Sequence, residues 1–378
     1  MILMTTYMLQ NVPFKTVYLH GLVRTRDGKK MSKSVPETCI DPLESIAEHG
    51  TDALRLALIQ GTGPGQDLRL YPEKMESCRR FANKIWNAGR YILLTIPLGT
   101  PTVPPEKVHS ELAQWLLHGL NDLIRHSQTG LEAHRLSDVV DSLRSFFWGE
   151  FCDWYLEMDK KPERTDEDNQ VLAYSYSTLL KLMHPYVPFV TEALWEQFKQ
   201  PKMLAVSEWP QEQSYSFSES HNRIELLREA ISQIRTLREK ANIGLDKKIG
   251  ATLDSEKNAE LFRTHQNLII RLARLSELEI NEKTPDSSRD NLGAYFNETL
   301  ASIEASAVDW KKEIESLQKK LKTESGFVEK SLKKLKNPGF LDKAPEKVII
   351  ELREKVASTE KTLEALKLQI HELDKLVE

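Results

Sequence analysis

Residues 12–34 read VPFKTVYLHGLVRTRDGKKMSKS. The first thirteen, Val12 to Arg24, mix β-branched and aromatic residues in the pattern of a strand. The last seven, Gly28 to Ser34, set three lysines among small residues. A strand that opens into a short cationic loop is the edge of an α/β layer with a place for an anion. Lys30 and Lys33 stand three apart, so both face one ligand when the loop curls, and Ser32 and Ser34 add hydroxyl donors. Lysine suits phosphate as a point charge on a flexible stem. A solvated basic turn is the plainer reading, but KMSKS uses a rare methionine, and its chance occurrence in a chain of this length is on the order of one in ten thousand.

Outward from the loop, Asp41-Pro42 starts a short helix, and Thr51 is placed to cap TDALRLALIQ, residues 51–60, which ends at Gly61. GTGPGQDLRL, residues 61–70, follows with three glycines and a proline, which force an irregular turn. From about Pro72 to Pro210 the apolar spacing becomes helical: Phe81, Ile85, Trp86 and Ala88, then Leu112, Trp115, Leu116 and Leu120, then Val139, Leu143, Phe146 and Phe147. This is the pattern of an α-helical bundle whose aromatics belong to its core. Residues 221–280 predict two more helices around an extended piece, KKIGATLD, and an ill-defined stretch follows. Near the end Ile349, Leu352, Val356, Thr359, Leu363, Leu366, Ile370 and Leu373 step by threes and fours, a coiled-coil seam. Asn337-Pro338-Gly339 breaks the helix before it, so the two arms fold back on each other as a finger roughly 40–48 Å long at ~1.5 Å per residue.

With 378 residues the chain divides into several modules. Its net charge of −4 leaves any polyanion to be met by local patches. Three scattered cysteines, Cys39, Cys78 and Cys152, suit neither a zinc site nor a disulfide framework and point to a reducing, cytoplasmic setting. No cluster has metal-ligand spacing, and MILMTTYML at the start lacks the basic leader and cleavage site of a signal peptide. Residues 311–336 hold nine basic residues (Lys311, Lys312, Lys319, Lys320, Lys322, Lys330, Lys333, Lys334 and Lys336) against four acidic ones, an excess that attracts a phosphate backbone. Arg79, Arg80, Lys84, Asn87 and Arg90 run along one helix beside Trp86, as RNA contacts or as interhelix braces.

Together the segments VPFKTVYLHGLVR, GKKMSKS, IDPLE, GTDALRLALIQGTGPGQDLRL and KMESCRRFANKIWNAGRYIL resemble the second half of a class I aminoacyl-tRNA synthetase of the bacterial valyl type. FCDWYLEMDK and HPYVPFVTEALW resemble that family's anticodon-binding bundle, and KNPGFLDKAPEKV its coiled-coil arm. The likeness runs in family order, most weakly over residues 95–140 and 255–305. It implies a mainly α chain in four parts: a tail of the Rossmann-like catalytic domain with a connecting module (1–75), an anticodon-binding bundle (76–215), a small α/β junction (216–305) and an antiparallel coiled-coil arm (306–378). It implies that Lys33, helped by Lys30, contacts ATP, carried with Mg2+, and stabilises amino-acid activation. Ser32 and Ser34 would shape the loop, Met31 would lie by the adenine, and His20 and Gly21 would stand at the strand end beside that pocket. For His20 a buried structural role is an equal reading.

The implied partners are valine and tRNA(Val), the latter met by the basic arm and by Arg79, Arg80 and Arg90, with the chain monomeric. Two departures stand out. Val35-Pro36-Glu37-Thr38-Cys39 replaces the family's usual Gly-Asn continuation, and no His-x-Gly-His signature occurs in the chain. The expectation is therefore a C-terminal portion that needs a complementary half to aminoacylate. The competing expectations are a non-catalytic tRNA-binding module and a helical scaffold that dimerises through its coiled coil.

Overall fold

The structure, a computed structural model, describes residues 1–32, 39–285, 293–303 and 310–335, together with Lys355, Val356, Thr359 and Leu363. It is mainly helical and comprises two compact units, residues 1–224 and 225–378. No helix among the described residues is long and apolar enough to cross a membrane.

The first unit opens with α1 (Ile2–Leu9), whose apolar side chains face outward; Leu3 is 85% exposed. The expected strand over residues 12–24 shrinks to β1 (Val23–Arg24), which lies parallel to β2 (Leu68–Arg69). Residues 12–20 have no buried side chains and no ladder partner among the described residues, so alternation alone does not hold them extended. Between the two strands lie α2 (Pro42–His49) and α3 (Thr51–Ile59). Asp41 caps α2 as expected, its carboxylate accepting from the Leu43 and Glu44 amides at 2.7 and 3.3 Å. Thr51, however, is the first residue of α3 rather than its cap. Gly50 takes that place with φ 92°, because the chain must swing sharply between two helices that share no linker.

The bundle comprises α4 (Pro72–Thr95), α5 (Glu111–Glu132), α6 (Leu136–Ser145), α7 (Leu156–Met158), α8 (Asp166–Met183) and α9 (Pro188–Gln197). A π-helical stretch, Phe146–Tyr155, joins α6 to α7. Its wider turn brings Phe147, Phe151 and Tyr155 into one buried aromatic stack against Tyr176 of α8. α8 is the central helix, buried on nearly every side, and starts with a reciprocal capping box between Thr165 and Asp168. The core residues read from the apolar spacing are buried, with two exceptions. Leu112 is half-buried, and Trp86 is 41% exposed because its position turns away from α8.

In the second unit the continuation of α10 (Ser218–Lys240) leads into β3 (Ile249–Asp254), the expected extended piece. α11 (Ala259–Thr264) and α12 (Gln266–Ala273) precede β4 (Leu275–Asn281), and β5 (Gly293–Phe296) and β6 (Thr299–Ile303) form a hairpin. The sheet order is β4-β3-β6-β5, with β3 parallel to β4 and antiparallel to β6. Two of these strands, β5 and β6, fall where the sequence reads as ill-defined, and β4 falls at the end of the region read as helical. The hairpin turn, Asn297-Glu298, has φ of 39° and 57°, a left-handed pair reached without the glycine that signals such turns. α13 (Trp310–Leu335) is the first arm of the expected hairpin. The break at 337–339 and the seam of the second arm, apart from Val356, Thr359 and Leu363, lie outside the described residues.

The approach of α4 to α8 and α9 depends on a small residue. A Cβ on Gly89 of α4 would stand 2.5 Å from a Leu194 methyl of α9 and 2.6 Å from the Tyr176 hydroxyl, which donates to the Ile85 carbonyl at 2.9 Å. Gly89→Ala is expected to destabilise the chain by about 1–3 kcal/mol through this overpacking, read as a lower denaturant midpoint at unchanged slope.

Candidate functional site

The lysine loop leaves from β1. A tight turn, Thr25 to Gly28, closes with the Gly28 amide donating to the Thr25 carbonyl at 3.0 Å and the Thr25 amide to the Lys29 carbonyl at 2.9 Å. Gly28 has φ 80°, which few other residues adopt without strain. The returning strand bridges Arg24 to Lys30, leaving the Lys30 side chain in solvent while Met31 and Ser32 are half-buried. Lys33 and Ser34, together with Val35 to Thr38 of the unusual continuation, lie outside the described residues.

The loop's root is held by residues 61–70. Asp67 accepts the Leu22 amide at 2.8 Å and pairs with the Arg24 guanidinium, whose other arm donates to the Gly28 carbonyl at 3.2 Å. These two donors, first the amide and then the guanidinium, hold the Asp67 carboxyl below its usual range. The backbones come so close here that a Cβ on Gly21 would fall 1.9 Å from the Gln66 carbonyl oxygen. A cavity of about 260 Å3 lies alongside, lined by Tyr18, His20, Gly21, Thr62, Gly63 and Gln66 among others. His20 is exposed, its Nδ1 2.8 Å from the Gly21 carbonyl, so the buried structural reading of this histidine does not hold. Gly21 stands where the close approach demands it.

Residues 60–62 in turn are seated on the bundle. Ser137 at the start of α6 accepts the Gly61 amide at 2.7 Å, Lys74 donates to the Gln60 carbonyl at 2.7 Å, and Arg144 donates to its side-chain oxygen at 3.1 Å. Burial lowers the Lys74 pKa. A second tie is Asp52 of α3, 9% exposed, whose carboxylate accepts the Phe189 and Val190 amides at 3.2 and 2.8 Å and so caps α9 from another helix. Burial is the larger influence on this carboxyl and raises its pKa despite those two bonds.

Among the basic residues of α4, Arg79 and Arg80 both hold Glu76, at 2.8 and 3.3 Å, and pull its carboxyl down to about 2, Arg79 the more strongly. Lys84 pairs with Asp153 at 3.2 Å and lies over the Trp148 ring, so it acts as an interhelix brace. Arg90 and Asn87 are exposed, and Arg90 makes no ion pair among the described residues. Trp86 and Phe189, both exposed, line a 590 Å3 hollow together with Arg79 and Asn83, a grouping of aromatic and guanidinium groups that helical periodicity disguises as core. On α13, Lys319, Lys322 and Lys333 are exposed and Lys333 pairs with Glu329 at 2.8 Å. The side chains of Lys311, Lys312, Lys320, Lys330 and Lys334 lie outside the described ones, as does Lys336. All three cysteines are free: Cys39 is exposed, and burial pushes Cys152 up to about 12.

Three families match the chain in order. Residues 1–71 match tRNA synthetases class I (I, L, M and V), residues 113–253 the anticodon-binding domain of tRNA ligase, and residues 309–374 the valyl tRNA synthetase tRNA binding arm. These matches, in this order, define a class I aminoacyl-tRNA synthetase chain. Similar curated proteins are the valine–tRNA ligases of Carboxydothermus hydrogenoformans (35% identical over 99% of this chain and 44% of that protein), Clostridium acetobutylicum (36%, 96% and 42%) and Staphylococcus carnosus (35%, 96% and 42%). The chain belongs to the valine–tRNA ligase family and corresponds to its C-terminal region, spanning under half the length of these relatives.

Because Asp67 is more acidic in the folded chain, its charge contributes stability above the unfolded value of 3.8, and that contribution is lost as pH falls through the lower folded value. Asp67→Asn is therefore expected to be less stable than the parent at pH 7 and to converge on it below about pH 4. Urea denaturation across this range measures it; a gap that persists undiminished in acid removes Asp67 ionisation as the cause.

Proposed function

We propose that these residues serve ATP-dependent activation of valine and its transfer to tRNA(Val), supplying the lysine loop and the tRNA-binding parts and working with the N-terminal half of the family's fold, which completes the nucleotide pocket. The observation that carries this reading is the ordered run of the three family matches, with the lysine loop rooted on β1 beside the 61–70 segment. In the chemistry, the valine carboxylate attacks the α-phosphorus of ATP and negative charge accumulates on the departing pyrophosphate. Lys33, assisted by Lys30, neutralises that charge in the transition state. Ser32 and Ser34 shape the loop, Met31 presents its backbone to the adenine, and His20 and Gly21 border the pocket. Magnesium enters as part of the nucleotide substrate.

The four-part division at residues 75, 215 and 305 is part of the same proposal. So is tRNA binding by the basic arm, through Lys311, Lys312, Lys319, Lys320, Lys322, Lys330, Lys333 and Lys334, and by Arg79, Arg80 and Arg90 on the bundle. Of the bundle residues Arg90 is the most available, since Arg79 and Arg80 share Glu76. The setting is cytoplasmic and the chain monomeric.

Valine-dependent ATP–pyrophosphate exchange tests the proposal, run on the full chain mixed with the complementary region of a relative. Exchange is expected in the mixture, and Lys33→Ala should lower it about 10²–10³-fold with the fold intact by circular dichroism. No exchange in the mixture, with salt-sensitive tRNA binding that Lys33→Ala leaves unchanged, would instead assign the chain to a tRNA-binding module without chemistry.

A further inference from the structure

The bundle carries a cavity that no part of the proposed reaction uses and that shares no residue with the lysine-loop site. It measures about 420 Å3 and lies among α8, α9 and the segments around residues 102–104 and 200–213. Three rings line it, those of Tyr174, Trp195 and Trp209, and the charged residues in its wall are Lys181, Lys202 and Glu208.

Hydrogen bonds within the chain hold the wall in place. The Trp195 indole nitrogen donates to the Lys202 carbonyl at 2.9 Å, and Glu192, three residues earlier on α9, accepts the Leu204 and Ala205 amides at 2.8 and 3.2 Å. Asn121 of α5 exchanges two bonds with the Gln213 backbone, at 2.7 and 3.1 Å. The Tyr174 hydroxyl is taken up by the Thr178 side chain. With their polar ends spent in this way, the Tyr174 and Trp195 rings bring apolar surface to the cavity.

Lys181 is not satisfied in the same manner. It stands in the last turn of α8, half-buried, with its ammonium nitrogen 5.6 Å from the Trp195 ring centroid. It forms no ion pair among the described residues. Glu208 acts on it only from longer range, and burial outweighs that attraction and lowers its pKa. An ammonium beside apolar surface is costly without a paired anion, and the ring offsets only part of the cost. Two lysines against one glutamate leave the wall with one net positive charge, which a monoanion matches; a phosphate dianion would crowd excess negative charge beside Glu208.

We propose that this cavity binds a small monocarboxylate that carries an aromatic ring, the ring held among Tyr174, Trp195 and Trp209 and the carboxylate on the Lys181 ammonium. Its volume falls within the range of small-molecule sites, and rings with one convergent charge are their usual lining. A free aromatic acid and an aromatic amino acid share this chemistry; the second adds an ammonium group that Glu208 would take. The inference stands apart from the tRNA reading above.

The test titrates the full chain, at constant ionic strength, with phenylpropionate, its neutral counterpart phenylpropanol, and L-phenylalanine. Binding is read from tryptophan fluorescence excited at the red edge of the band, where none of the three absorbs. Phenylpropionate is expected to bind with a Kd on the order of 0.1–1 mM. Phenylpropanol should bind the parent at least about tenfold more weakly, and so should phenylpropionate the variant Lys181→Met. On the parent, saturating phenylpropionate should slow acetylation of Lys181 by acetic anhydride several-fold, read by mass spectrometry, and leave that of the exposed Lys199 unchanged.

Equal affinity for the acid and the alcohol, or an unchanged affinity in Lys181→Met, overturns the site. Acetylation of Lys181 that phenylpropionate does not slow overturns it as well, and that measurement holds even where the variant does not fold. Tighter binding of phenylalanine than of phenylpropionate, falling to parity in Glu208→Gln, assigns the cavity to an amino acid, and the reverse order assigns it to a free aromatic acid.

Discussion

Asp67 is the fastening on which the lysine loop depends. Through one carboxylate it joins the Leu22 amide, at the start of a two-residue parallel ladder, to the Arg24 guanidinium that also reaches the turn at Gly28. So short a ladder contributes little by itself. The closeness permitted by Gly21, the Asp67 clamp and the docking of Gln60 and Gly61 on Lys74, Arg144 and Ser137 together place the loop's root against the helical bundle.

The same logic runs through the rest of the first unit. Asp52 caps α9 across a helix–helix junction, so the module that carries the lysine loop and the bundle share a buried polar contact as well as apolar packing. An aromatic stack anchored by the π-helical stretch fills the bundle, and Gly89 lets α4 approach α8 and α9. Charges on the bundle surface largely satisfy one another, as Glu76 does for Arg79 and Arg80, and Asp153 for Lys84. Arg90, which makes no ion pair among the described residues, and the rings of Trp86 and Phe189 are exposed.

Much of this was legible in the sequence. Apolar spacing marks the helices of the bundle because each needs a continuous stripe against α8, and Asp41-Pro42 marks a helix start because the carboxylate and the ring each satisfy a local rule. The small sheet was not legible. Leu275–Asn281 and Thr299–Ile303 pair with a strand distant in sequence, and the hairpin turn between Gly293–Phe296 and Thr299–Ile303 uses Asn297-Glu298 in place of an Asn-Gly pair. Conversely, Val12 to Gly21 carries strand-forming residues but pairs with no strand among the described residues. Trp86 misled for a related reason, since spacing along a helix does not say where the neighbouring helices end.

What the sequence determined by itself is local or near-local: helix positions, the cap at Asp41, the tight turn at Gly28 and the chemical character of the lysine loop, all set by residues within a turn or two of each other. Tertiary structure decided which charges are spent and which are free. Arg79, Arg80 and Lys84 read alike with Arg90 along one helix, yet only the fold brings Asp153 to Lys84, and only the meeting of α10 with α12 leaves Arg238 buried among carbonyls with an unpartnered nitrogen. A charge's availability depends on the distance to groups far along the chain and on the water between them, and neither quantity exists before the chain folds.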